Sequence, residues 1–91
     1  MITTIHVLGI KETDFKAIEM GAKTFETRNN VRDFHRGEFI RFVVTPDDLR
    51  EAPYEVDDLY EITHVLKGFS LKDGFYAELG IRRREQPGTH E

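Results

Sequence analysis

Lys23, Glu26 and Arg28 stand within six residues of one another, inside the stretch Gly21 to Glu38. Apart from the tail, that stretch is the densest mixture of Lys, Arg and Glu with aromatic residues in the chain. A carboxylate beside two cations can accept from the amino group of a base, while Arg and Lys hold phosphate or carbonyl oxygens. Spacing alone favours a simpler reading, a surface ion-pair ladder that contributes little energy. Other chemistries leave less trace. The histidines at 6, 35, 64 and 90 have no paired ligand spacing, so no metal site is expected. With no cysteine there is no disulfide, thiolate zinc site or thiol nucleophile. The glycines are scattered without a P-loop pattern, no Gly-x-Ser-x-Gly elbow exists, and no cofactor-binding box is visible.

The elements that must position these residues follow from periodicity. Residues 3–10 are rich in β-branched side chains and read as a first strand, with His6 on the face of Thr4 and Leu8. A half-buried structural histidine is the simpler reading of His6, and a ring that stacks on or hydrogen-bonds to a ligand is the functional one. An amphipathic helix over about 13–20 follows, capped by Thr13, with Phe15, Ile18 and either Ala22 or Met20 as its buried stripe. Gly21 is placed to end it in the left-handed conformation. From Lys23 to Arg28 the pattern alternates as a strand, with Thr24, Glu26 and Arg28 on one face and Phe25 and Thr27 on the other. Lys23 has the wrong parity for that group and joins it only if the turn after Gly21 re-aims it.

A polar loop from Asn29 to Arg36 leads into Glu38–Thr45, the most strongly β segment and the expected central strand. Arg32 pairs with Asp33 or reaches toward the charged triplet, and Phe34 is the loop's apolar anchor. Pro46 stops the strand, and an acidic connector follows, with room for one helical turn. Asp58–Leu66 is a further strand that puts Tyr60, Ile62, His64 and Leu66 on one face, leaving His64 either in the core or at the site. A loop over 68–74 and a last strand, Phe75–Ile81, follow. Arg82 to Arg84 read as a solvated end, or as a basic patch that guides a phosphate backbone.

The order β-α-β-β-β-β in 91 residues implies an α+β, mostly β domain. The expected form is a small, mostly antiparallel β-barrel, with the helix over one opening. One domain is expected over 1–83, with 84–91 as a frayed, flexible tail. The chain is 38% apolar and 33% charged, which fits a soluble globular protein, and no apolar run reaches the ~20 residues that cross a bilayer. Without a signal-peptide pattern at the N-terminus, a cytoplasmic location is the expectation. The net charge of −4 argues against tight, non-specific binding to long nucleic acid. A local basic pocket for one nucleotide or a short strand is compatible with it.

Gly21-Ala-Lys23-Thr-Phe25-Glu26-Thr-Arg28 resembles the Gly-x-Lys-x-x-Glu-x-Arg motif of the ASCH family in the PUA-like superfamily of small β-barrels. The resemblance extends over His6-Val-Leu8-Gly-Ile10, Phe15, Asn29 to Glu38 and Gly74 to Ile81, nearly the whole chain. It is similar there to a bacterial and phage subgroup of ASCH-like domains of unknown function. Gly9, Asn29 and Val31 depart from the subgroup's pattern, and two of these departures remove positive charge. The resemblance implies a PUA-like barrel whose cleft takes RNA or a modified nucleoside, lined by Lys23, Glu26 and Arg28, with Arg32, His6 and His64 as further ligand-binding candidates.

One ASCH branch resembles an amidohydrolase of acetylated cytidine that uses a lysine, a threonine and a glutamate. Its lysine matches Lys23, its threonine falls on Glu26, and its glutamate falls at His64. A hydrolase here would use Lys23, Thr24 and Glu26, so whether the chain is an enzyme stays open at this point. A protein-interaction module built on the acidic 47–58 segment is the third reading.

Overall fold

A computed structural model describes residues 3–29 and 32–84. The chain runs β1 (Ile5–Lys11), α1 (Glu12–Glu19), β2 (Phe25–Asn29), β3 (Phe39–Thr45), β4 (Tyr54–Glu55), β5 (Leu59–Ser70) and β6 (Gly74–Arg84). The strands make one mixed sheet in the order β1-β3-β5-β6-β2, with β4 added beside β3. β1 and β2 therefore stand at the two ends of the hydrogen-bonded path. Four of the strand pairs are antiparallel, as the pattern implied, and β1 runs parallel to β3. That parallel pair departs from a plain meander. It is possible because the chain between β1 and β3 contains α1 and β2, enough for a crossover connection.

Alternation builds the core. Ile40, Phe42 and Val44 of β3 are fully buried, and Ile62 of β5 and Ala77 and Leu79 of β6 meet them. Phe15 and Ile18 carry α1 onto this layer. Phe15, Phe42 and Tyr60 meet edge to face at centroid distances of 5.3 to 6.3 Å, a geometry worth ~0.5–1.5 kcal/mol per pair beyond area burial.

Several expectations are corrected. Thr13 does not cap α1: Lys11 holds the cap position with an extended backbone and no side-chain bond. The Thr13 hydroxyl donates instead to the Asp47 carboxylate at 3.1 Å, and the Asp47 amide donates to Glu12 at 3.1 Å. These bonds tie the start of the helix to the chain leaving β3. Met20 and Ala22 are exposed, because the helix ends before they complete the apolar stripe. The expected 68–74 loop is only a three-residue turn, since β5 and β6 pair up to Ser70 and Gly74. The acidic connector contributes the short strand β4.

Arg82, Arg83 and Arg84 are exposed, as a solvated end implies, but they belong to a strand. They lie on β6 and pair with Glu61, Asp58 and Glu61 at 3.3, 2.8 and 3.4 Å. Residues 85–91 of the expected tail, with His90, lie outside the described residues.

A bulge in β5 decides the position of His64. Pairing is regular to Ile62, then shifts so that His64 meets Gly80. One extra residue reverses the parity of everything after it. Val65 consequently packs against the core, and His64 and Leu66 are exposed rather than continuing the face of Tyr60 and Ile62.

Candidate functional site

Glu26 is the one charged residue buried among the described residues, at 6% exposure. Its position on β2 puts it opposite Leu79, on the inward face of the sheet. Both carboxylate oxygens are engaged. Oε1 accepts from Lys23 Nζ at 3.3 Å and from the Thr27 amide at 3.2 Å, and Oε2 accepts from Arg28 at 2.9 Å. Lys23 reaches this group because α1 ends as the sequence implied. Gly21 takes φ +80° and its amide bonds to Ile18, while the Lys23 amide returns to Ala17 at 3.0 Å. The turn swings the Lys23 side chain round, past the Phe25 ring, onto Glu26.

Arg28 faces two ways. One terminal nitrogen donates to Glu26 and also to the backbone carbonyl of Gly9 on β1. Its Nε is buried without a hydrogen-bond partner. Arg32 reaches the same strand and donates to the Val7 carbonyl at 3.2 Å. The parallel ladder explains both contacts. The Thr4 carbonyl accepts from the Phe39 amide, so even-numbered residues of β1 serve β3, and Val7 and Gly9 turn their backbone groups the other way. The two guanidiniums occupy carbonyls that a neighbouring strand would otherwise use.

Between the β1 and β2 ends of the sheet lies a cleft of about 420 Å³, bounded by Val7, Gly9, Thr27, Arg28, Arg32 and Phe34 among others. A second hollow of about 300 Å³ adjoins it at Gly9, Thr27 and Arg28 and includes Glu26 and Asp14. Thr24 opens elsewhere, into a hollow of about 240 Å³ that it shares with Lys23, Tyr60, Arg82 and Arg83.

The remaining candidates separate into framework and surface. His6 is mostly buried, bonds through Nε2 to Glu38 at 2.8 Å, and lies 4.7 Å from the ring of Phe34. It props the cleft from behind. Arg32 does not pair with Asp33, which takes Lys67 at 3.1 Å and His35 at 3.3 Å instead. Phe34 is the buried anchor expected of it. His64, exposed at the bulge, is not among the residues that bound the cleft. Sequence reasoning missed the carbonyls of Val7 and Gly9, because a backbone acceptor leaves no signature in residue type. It also missed Lys67, which lies 34 positions from its partner.

The family described as a domain of unknown function (DUF3850) matches residues 5–81. This chain belongs to the DUF3850 family. No curated protein matches it. In this DUF3850 domain no helix among the described residues is long and apolar enough to cross a membrane. No group of three or more His, Cys, Asp or Glu side chains among them is placed to hold a metal ion.

The support behind the cleft is expected to respond to acid. Partial burial raises the Glu38 carboxyl, but the His6 ring and the His35 amide donate to it and hold it below its ordinary 4.5. A carboxylate whose folded pKa is depressed contributes stability that is fully present above the unfolded value and is lost as pH falls through the folded one. The domain is therefore expected to lose stability as pH drops below about 4.5, and Glu38→Gln is expected to flatten that slope. Urea midpoints of both proteins from pH 7 to pH 3 make the comparison. Parallel curves would remove Glu38 from the acid response.

Proposed function

We propose that this domain binds RNA or a modified nucleoside in the cleft between β1 and β2, and that it holds its ligand without turning it over. One observation carries the reading. Two guanidiniums, Arg28 and Arg32, lie in an open cleft and are held at two backbone carbonyls, with Arg28 fixed from behind by a buried carboxylate. Planar donors of this kind suit phosphate or the carbonyl edge of a base. The resemblance of Gly21 to Arg28 to the ASCH motif supports the same ligand class, and a PUA-like barrel is the architecture it brings with it.

Glu26 acts behind the ligand in this reading, because Lys23, Arg28 and the Thr27 amide already use its oxygens. A hydrolase needs a nucleophile and a base facing one reacting atom. Thr24 and Glu26 border different hollows, and the Glu26 oxygens are occupied. The acidic connector is a weaker base for a protein-interaction role. Asp48 pairs with Arg50, Glu55 with Arg41 and Asp58 with Arg83.

Arg32 tests the proposal with least disturbance to the fold, since its contact is an exposed one to a backbone carbonyl. Arg32→Ala is expected to weaken binding of a short RNA by ~1.5–3 kcal/mol, the range for a charged hydrogen bond, with an unchanged melting temperature. With two or three cations meeting phosphate, the logarithmic salt dependence is expected to be about −2. Wild-type affinity in Arg32→Ala, or a slope steeper than about −5, would contradict this reading. Turnover of an acetylated cytidine would replace it with the hydrolase.

A further inference from the structure

The β5–β6 hairpin extends past the core, and its inward face does not stop where the core stops. Ile62 and Ile81, then Val65 and Leu79, are cross-strand pairs on that face. The next rung pairs Lys67 with Ala77, and the one beyond pairs Phe69 with Phe75. Glu26 and Arg28 share this face, because β2 sets them opposite Leu79 and Ala77. Arg28, Ala77 and Lys67 thus form one row across three strands, and the two phenylalanines form the next row toward the tip. Successive rows on one face are ~7 Å apart.

Among the described residues Phe69 is 58% and Phe75 67% exposed, and their rings meet each other at 4.9 Å and 64°. Two cations lie nearby, each beside a carboxylate, Arg28 with Glu26 and Lys67 with Asp33. Arg28 and Lys67 stand in the adjoining row, and Lys67 reaches the Asp33 carboxylate at the edge of the loop that carries Arg32. Exposed aromatic faces next to cations are the components of a single-strand binding surface, where bases stack and the backbone follows the charge.

We infer that the Phe69–Phe75 tip is a stacking platform for the nucleotide next to the one in the cleft, so that the ligand is a single-stranded RNA rather than a free nucleoside. This rests on the cleft reading above. The rings occupy the row next to Arg28, so one ligand that extends past the cleft meets both. The nucleotide in the cleft meets Arg28 and Arg32, and its neighbour stacks on the exposed rings.

Adenylate, di-adenylate and tetra-adenylate titrated against the whole chain and against F69A/F75A test the inference. Both rings are exposed, so the double variant is expected to keep its melting temperature. For the wild type, affinity is expected to rise about tenfold or more from mono- to di-adenylate, as stacking of one base implies. In F69A/F75A that gain is expected to vanish while adenylate itself binds as before. A gain of the same size in the variant, or equal affinity for all three ligands in the wild type, overturns the platform and leaves the cleft reading intact. No binding of any of the three overturns both. A concentration-dependent wild-type dimer that F69A/F75A abolishes, seen by sedimentation, also overturns the platform, because a second copy would then cover it.

Discussion

Glu26→Gln is expected to destabilise this domain by ~2–3 kcal/mol and to weaken RNA binding as well. Lys23 approaches Oε1 of Glu26 and Arg28 approaches Oε2, so either orientation of a glutamine amide points its NH₂ at a cation. Removing one member of a buried ion pair typically costs 3–5 kcal/mol. The lower figure applies here because the Lys23 and Arg28 side chains keep 24% and 26% of their exposure, so water partly replaces the lost partner. The Arg28 guanidinium would then lose the anchor that aims it between Glu26 and Gly9. Urea midpoints and an RNA titration of the same variant measure both effects. If the midpoint stays at the wild-type value while binding is lost, the carboxylate meets the ligand itself and does not work through Arg28.

Phe34→Ala is expected to be more severe, at ~3–5 kcal/mol. Phe34 is 2% exposed and is the buried apolar residue among the described residues between β2 and β3. Its ring lies tilted against that of His6 and forms part of the cleft wall. Losing it would leave a cavity between β1 and the loop, and would free the segment that carries Arg32. Domains of this size have only ~5–15 kcal/mol in total, so the melting temperature should drop by at least about 12 °C. Phe34→Leu, which keeps most of the volume, should lose less than half as much. A drop below about 4 °C in Phe34→Ala would mean that the loop is held by its ion pairs, Asp33 with Lys67 and His35 with Glu38, and not by the ring.

Local chemistry made part of this molecule readable without coordinates. β-branched alternation located β1 and β3, the spacing of Phe15 and Ile18 located the buried face of α1, and Gly21 marked its end. The parity of Glu26 and Arg28 on one strand face was also legible, because two-residue periodicity in a strand follows from the backbone itself. Even the route by which Lys23 joins Glu26, through a turn after Gly21, followed from a conflict of parity.

Long-range contact decided the rest. Thr13 had cap chemistry, yet Asp47, far away in sequence, took its hydroxyl. His64 kept the right spacing for the inner face, and a bulge set by pairing with β6 turned it outward. Arg82 to Arg84 became strand residues because β6 pairs with β5 as far as Leu59. The burial of Glu26 was not visible, since a carboxylate goes inside only where cations and an amide satisfy its oxygens. The cleft is the clearest case. Residue types and spacing brought Lys23, Glu26 and Arg28 together as a charged triplet. Whether that triplet is an exposed ladder or the back wall of a cleft depends on β1, whose register with β3 turns the carbonyls of Val7 and Gly9 toward Arg32 and Arg28. A strand's residues determine its periodicity, but which edge stays free is a property of the whole sheet.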